Sequence, residues 1–336
     1  MAYSAAILAR AKARLAAARE QNAQDDAARI GAIYERLPRL RQIDLELQKT
    51  AAKVCAAAFR AGEDPSETIR QLKDENLRLQ QERDWILESE GVEPDDLEQT
   101  AVCPRCGGSG YLGARMCECL AELCRQEQKK ELSTLLGAGR ESFDRFRLDY
   151  YPAEYDPDLG TSPREIMKRV YERAVRYAQS FAPGARSLLF SGATGLGKTF
   201  LSACIARAVA DRGYSVCYVS AEALFADFEQ QKFRPREGED VTRKYLACDL
   251  LILDDLGTEM TTQFTIAALY QVVNTRLMES RATIVSTNLP VGELDRRYSA
   301  QIASRLLGAY TLYKFSGKDI RMLQKSMARP TEDMNR

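Results

Sequence analysis

Histidine is absent from the 336-residue chain. Its absence removes imidazole acid–base catalysis and every His metal ligand, leaving thiolates and carboxylates to hold any metal. An excess of charge of one sign is missing too, since 48 Lys and Arg balance 48 Asp and Glu. The chain is therefore not a bulk polycation, and any nucleic-acid contact must come from local patches or from assembly into an oligomer. No apolar run approaches the ~20 residues that span a bilayer, so no membrane partner is expected. Residues 1–19 contain no acid and many Ala and Arg, the composition of a transit peptide. The helix-favouring pattern nevertheless runs on past Glu20 without a cleavage-like break, and a cytoplasmic location is the expectation.

What is present is a core-forming share of apolar residues, 45%, in a length that suits two domains. The second half is organised around Gly192-Ala193-Thr194-Gly195-Leu196-Gly197-Lys198-Thr199. An apolar run, Ser187-Leu188-Leu189-Phe190, precedes it, and a helical pattern starting at Phe200 follows. Strand, glycine-rich turn and helix is the context that makes G-x-x-x-x-G-K-[ST] a P-loop. Glycines let the backbone N–H groups converge at the positive end of a helix, where a polyphosphate can sit. Lys198 would reach the β- and γ-phosphates, the Thr199 hydroxyl would ligate Mg²⁺, and residues 192–200 are the expected ATP contacts. The alternative is a glycine-rich turn that binds nothing.

About 55 residues later, Asp249-Leu250-Leu251-Ile252-Leu253-Asp254-Asp255 reads as a buried strand ending in acid, the Walker B arrangement. Asp254 would hold Mg²⁺, and Asp255 could orient and polarise an attacking water. Next, a helix is expected over 261–280 and a strand over 282–286 that ends in Thr287-Asn288, placing the Asn288 amide beside a γ-phosphate. A helical stretch holds Ser304-Arg305-Leu306, and Gly317-Lys318-Asp319-Ile320-Arg321 follows a last strand. Loop 233–239 and Arg296-Arg297 are candidate DNA contacts, with a merely solvated surface as the alternative.

The first half is different. Residues 1–36 favour helix, and Leu40, Ile43, Leu47 and Val54 mark one face of a second helix that Gly62 ends. Asp64-Pro65-Ser66-Glu67 is a start signal for a third, with Ile69, Leu72, Leu79 and Ile86 at heptad spacing and Asn76 and Arg83 breaking the seam. The pattern suits either a hairpin packed on its own chain or a partner-binding coiled coil. Then come Cys103-Pro104-Arg105-Cys106-Gly107-Gly108, Cys117-Glu118-Cys119 and Cys124. Cys103, Cys106, Cys117 and Cys119 form the preferred Zn²⁺ set, with Cys124 a substitute for one of the C-x-C pair and free thiols or a redox pair as alternatives. Cys55, Cys204, Cys217 and Cys248 sit in apolar patterns and are expected to fill core.

In this order the motifs resemble the AAA+ ATPases of the DnaC/DnaI-type helicase loaders and their IstB relatives. The resemblance covers about residues 140–325. The cysteine module, with Glu93-Pro94-Asp95-Asp96-Leu97 and a helical segment before it, is similar to the N-terminal region of the DnaI-like branch, which IstB-type helpers generally lack. The resemblance implies an α/β fold, an AAA+ P-loop ATPase with a five-stranded parallel sheet, preceded by an α-helical or coiled-coil segment and a small four-cysteine zinc module. Together with the residue pattern, it divides the chain into a helical partner-binding segment at 1–100, a zinc module at 101–130, a connector at 131–165 that is expected to pack onto the following domain, the ATPase domain at 166–325, where the α/β pattern takes over, and a tail at 326–336. It also implies ATP sites between self-assembling subunits. Asn288 would be the first sensor, Arg321 the second, and Arg305 an arginine finger on a neighbour's γ-phosphate. The implied partners are a hexameric DnaB-type replicative helicase and single-stranded DNA, with ATP, Mg²⁺ and Zn²⁺ as cofactors. Two other functions fit the residues: a transposition helper ATPase, and a zinc-containing module that binds ATP without turnover.

Overall fold

The computed structural model describes residues 3–58, 66–135, 141–234 and 240–327. Gly62, the Asp64-Pro65 start signal, most of the 233–239 loop and the tail beyond residue 327 lie outside the described residues, as does the side chain of Cys55. The chain divides into two compact units, one spanning residues 13–117 and the other taking in the residues before and after that stretch.

Three long helices dominate residues 13–117: α1 (Ala5–Arg36), α2 (Pro38–Ala58) and α3 (Ser66–Glu90). Leu40, Leu87 and Val92 form a small buried cluster. Arg83, which interrupts the apolar seam of α3, is satisfied by an ion pair to Asp44 at 2.7 Å, and Arg39 pairs with Glu82 at 2.7 Å. The α2–α3 pair thus packs on its own chain, although the amide oxygen of the other seam position, Asn76, is buried without a hydrogen-bond partner, while Leu77 and Trp85 of α3 remain 55% and 67% exposed. Behind it, Asp26 of α1 accepts from the Thr100 backbone N–H at 2.7 Å, and Arg29 donates to the carbonyls of Asp95, Asp96 and Glu98. That clamp ties the segment leading to the cysteines onto α1. A two-residue hairpin, β1 (Tyr111–Leu112) with β2 (Arg115–Met116), follows.

The second unit opens, after the first turns of α1, with α4 (Glu118–Leu135) and continues through α5 (Pro163–Ser180), β3 (Leu188–Ser191), α6 (Lys198–Asp211), β4 (Val216–Ser220) and α7 (Ala221–Phe233). Then come α8 (Arg243–Ala247), β5 (Leu250–Leu256), α9 (Gln263–Met278), β6 (Ala282–Thr287), α10 (Leu294–Arg297), α11 (Ala300–Ala309), β7 (Thr311–Lys314) and α12 (Ile320–Met327). The sheet order is β4-β5-β6-β3-β7 with every pairing parallel. Such a sheet is covered on both faces, so its central strands are apolar throughout rather than alternating. β3 and β5 read Leu-Leu-Phe-Ser and Leu-Leu-Ile-Leu-Asp for that reason. One core cluster lies under α5 and α6, the other under α7, α9 and α11.

The unit takes in α4 and the stretch ahead of residue 166, where the α/β pattern starts. Gln128 of α4 donates to the Tyr214 carbonyl at 2.9 Å and accepts from the Val216 N–H at 3.0 Å, stitching α4 to the start of β4. The aromatic stretch around 143–151 packs into the same core, with Phe146 stacked against Tyr171 at 5.2 Å. Arg276 of α9 is fully buried and donates to the carbonyls of Tyr245, Leu246, Cys248 and Ala282 and to the Thr283 hydroxyl. It thereby ties α8 and the starts of β5 and β6 together. Parallel strands so aligned bring their C-terminal ends to one edge, where ligands bind in open α/β sheets.

Candidate nucleotide site and cysteine centre

At that edge β3 delivers the P-loop between β6 and β7. The Gly195 backbone has φ +78°, and a Cβ there would overlap the carboxylate of Asp319. The Ile320 N–H donates to the Gly195 carbonyl at 3.0 Å, so the start of α12 clasps the loop from outside. Gly197 caps α6 at φ +87°, beneath the Tyr151 phenol, which donates to the Leu196 carbonyl at 2.9 Å. These close approaches by Asp319 and Tyr151 explain why glycine is needed, beyond the turn itself.

Around the loop is a cavity of about 730 Å³. Residues 194–200, Asp254, Asp255, Asn288 and Arg321 line it, with Phe146 and Tyr150 on the far wall. Gly192 and Ala193 serve the site through their carbonyls, which accept from the Lys198 ammonium at 2.7 and 2.8 Å. Lys198 is only 6% exposed, and burial lowers its pKa, opposed by the nearby Asp255 and Asp254 and assisted by Arg321. A phosphate would give this ammonium a charged partner in place of the two carbonyls it now donates to.

Asp254 is 5% exposed, and both its oxygens are held. Tyr218 of β4 donates to Oδ2 at 2.6 Å, and the Ser286 hydroxyl donates to Oδ1. Burial and contact with this carboxylate push the Tyr218 phenol pKa well up, so it stays a donor. The β5–β6 register shifts between Leu253 and Leu256, a bulge at the pair of acids. Within it Asp255 adopts φ +55°, its N–H donating to Ser286 Oγ at 3.2 Å. Bulges next to active sites re-aim side chains, and here the bulge lets two consecutive residues both face the cavity. Desolvation raises the Asp255 pKa, Asp254 raises it further, and Lys198 and Arg321 oppose.

Asn288 sits at the tip of β6 with its Oδ1 buried and without a partner. An orphaned buried acceptor beside a lysine and two acids is what a site built for a hydrated metal–phosphate group would show. Thr199 and Asp254 could hold Mg²⁺ there. Arg305 lies elsewhere and does not line this cavity. Its guanidinium rests 4.7 Å from the Tyr270 ring centroid and donates to the Tyr270 hydroxyl at 2.9 Å and to Asn274 Oδ1 at 3.1 Å. Arg297 donates to the Glu259 carbonyl at 2.6 Å. Tyr218, Tyr151 and Ser286 were not singled out from the sequence. A tyrosine two residues before the end of the strand beside the Walker B strand was the available signal for the first.

The Sγ atoms of Cys103, Cys106, Cys117 and Cys119 all lie within 4.8 Å of one another. A tetrahedron of Zn–S bonds of ~2.3 Å has edges of ~3.8 Å, and the Cys103–Cys117 Sγ separation is 3.9 Å. The Gly110 N–H donates to Cys106 Sγ at 3.3 Å, and Gly107, Gly108 and Gly110 take positive φ in the knuckle. The donor set fits Zn²⁺. Cys124 is outside this group, and burial pushes its thiol up to about 11.

Residues 168–327 match the family model of the IstB-like ATP binding proteins. This stretch, just under half of the chain, is thus similar to the IstB-like ATP binding proteins, and it holds the P-loop and the five-stranded parallel sheet. The replicative helicase loader DnaC of Escherichia coli (strain K12) is 25% identical over 135 residues, 40% of this chain and 55% of the relative. DnaC of Buchnera aphidicola subsp. Acyrthosiphon pisum is 24% identical over 172 residues, 50% of this chain and 66% of the relative. An insertion-sequence ATP-binding protein of Sinorhizobium fredii is 33% identical over 115 residues, 34% and 38% of the two chains. The matches thus span between 38% and 66% of these relatives' own lengths. Among solved structures, a DnaC helicase loader aligns over 52% of this chain and 98% of its own, at 19% identity and TM-score 0.43. DnaI aligns over 56% and 93%, at 23% identity and TM-score 0.43.

Proposed function

We propose that this protein is an ATP-dependent loader that places a hexameric replicative helicase on single-stranded DNA, with ATP as the switch between assembly and release. The observation that carries the reading is the division of the ATPase machinery over two surfaces. Lys198, Asp254, Asp255 and Asn288 surround one cavity, while Arg305 is presented on α11 away from it. A chain of this kind is completed by the Arg305 of a neighbouring copy. Nucleotide can bias assembly only through contacts that differ between the free and assembled states, and an arginine supplied in trans is such a contact.

In the assembled site Lys198 leaves the Gly192 and Ala193 carbonyls for the β- and γ-phosphates. Mg²⁺, held by Thr199 and Asp254, would neutralise charge on those phosphates. Tyr218 and Ser286 keep the Asp254 carboxylate aimed. Asp255 accepts a hydrogen bond from the attacking water and polarises it, Asn288 fixes the γ-phosphate, and Arg321 reaches it from α12. Hydrolysis removes the γ-phosphate on which the neighbour's Arg305 depends, and the assembly loosens.

The four-cysteine module, the α2–α3 pair with its exposed Leu77 and Trp85, and relatives named as replicative helicase loaders support the partner assignment. The insertion-sequence relative favours a second reading, a helper ATPase for transposition. Native mass spectrometry of the full chain with the host's hexameric helicase, ATP and magnesium separates them. A defined complex that Leu77→Ala/Trp85→Ala weakens supports the loader. No complex with the wild-type chain overturns it, and a complex with the cognate transposase instead establishes the helper.

A further inference from the structure

Outside the nucleotide cavity, α5 carries a stripe of arginines. The helix buries Met167, Val170, Ala174 and Ala178 in the core. On another stripe, Arg169, Arg173, Arg176 and Ser180 recur at intervals of four, three and four residues, the spacing that stacks side chains on one helix face. Beside the last three of these is a groove of about 370 Å³, closed on its other side by Arg186 before β3 and by Thr311 and Tyr313 of the edge strand β7. Its lining includes three arginines and no acidic residue.

Elsewhere in this neutral chain arginines find carboxylates, as Arg39, Arg83, Arg125, Arg207 and Arg281 do. Among the described residues, no such ion pair involves Arg173, Arg176 or Arg186. Glu172, next to Arg173, contributes its backbone carbonyl to Arg176 Nε at 3.4 Å, and Arg169 at the end of the stripe pairs with Glu165. Arg173 and Arg176 stand about 4.5 Å apart along the helix axis, and Arg186 adds a third cation from the segment before β3. Three cations along one groove match a linear polyanion better than a single small anion. Guanidinium groups also fit phosphate oxygens bidentately, and the Thr311 hydroxyl adds a hydrogen-bonding group to the wall, while that of Ser180 donates to the Arg176 carbonyl at 2.8 Å.

We propose that the groove between α5 and β7 binds the phosphodiester backbone of single-stranded DNA. This rests on the loader reading, which requires such a strand, and supplies the local patch that a chain of zero net charge needs.

The test is fluorescence anisotropy of a labelled oligothymidylate with the full chain, ATP and magnesium, across a salt series. Arg173→Ala/Arg176→Ala/Arg186→Ala should weaken binding by tenfold or more at low salt. It should flatten the plot of log affinity against log salt by about 2, because each lost contact to a single strand removes roughly 0.7. The triple Arg→Lys variant should keep most of the slope. A triple-alanine variant that melts like the wild type yet binds with unchanged affinity and slope overturns the groove while leaving the loader reading intact. A wild-type chain that binds no oligonucleotide overturns the single-stranded DNA partner itself. A duplex bound as tightly, and lost equally in the variant, overturns the single-strand assignment.

Discussion

Asp255→Asn should do two things at once, and the pair is diagnostic. The side chain is solvent-exposed at the cavity wall beside Asp254, and its pKa is raised by desolvation first and by that like charge second. An acid whose folded pKa lies above its unfolded value makes the folded state bind the proton more readily. The ionised group therefore costs stability above the folded pKa, and that cost disappears as pH falls below the unfolded one. Asn removes the charge without disturbing the backbone, because it tolerates the φ of +55° seen here as well as Asp does. The group is exposed, so the gain is discounted for solvent screening to about 0.3–1 kcal/mol. At roughly 2–4 °C per kcal/mol for a unit of this size, the expected rise is about 1–4 °C in melting temperature. Differential scanning fluorimetry without nucleotide or magnesium, at pH 8 and again near pH 4, reads it. The difference between variant and wild type should be present at pH 8 and shrink on acidification. The same variant should bind ATP and lose about 10²–10⁴-fold in turnover, the scale of a missing general base. A variant that melts below the wild type at pH 8, or whose offset does not shrink in acid, refutes the electrostatic account. One that melts as expected yet hydrolyses ATP normally removes Asp255 from the water-activating role.

Arg305→Ala should bind ATP with near-wild-type affinity and lose the turnover stimulated by assembly, by as much as the 10³–10⁵-fold seen for other arginine fingers; unchanged stimulated turnover in a coupled ATPase assay removes it from the role. Gly195→Ala places a Cβ at φ +78° against the Asp319 carboxylate, so melting temperature and ATP affinity should both fall. Asp319→Ala in the same chain should restore part of each, and a double variant no better than the single one would show that the turn alone requires glycine. Elemental analysis should find about one zinc per chain, retained in Cys124→Ser and lost in Cys117→Ser, and metal-free protein would leave the cysteines as plain thiols.

Much of the fold was legible because parallel strands and amphipathic helices write themselves into hydrophobic periodicity. β5 is apolar from Leu250 to Leu253 and stops at two acids, and the helix expected over 261–280 is α9 at Gln263–Met278. The site was legible where backbone geometry demands particular residues: glycines that must take positive φ, and a four-cysteine group whose spacing lets a hairpin bring its halves together. Legibility failed where partners come from different strands. Tyr218 and Ser286 reach Asp254 across β4 and β6, more than 30 positions away, and no local pattern announces that. The same holds for α4, whose Gln128 meets β4 only through tertiary pairing. Arg276 reads as one more charged residue on α9, yet it is wholly buried on backbone carbonyls.

The bulge at the end of β5 bears on why the second acid is Asp rather than Glu. In an unbulged strand, residues 254 and 255 would face opposite sides of the sheet, and one of them would be lost to the site. The register shift turns Asp255 toward the cavity at the cost of a left-handed backbone conformation. Among residues with a Cβ, Asp and Asn enter that region most readily. A longer acid would reach further toward the γ-phosphate and would carry more backbone strain. The local geometry thus favours a short carboxylate, and under the proposed trans role of Arg305 such a site would turn over slowly until a neighbouring copy completes it.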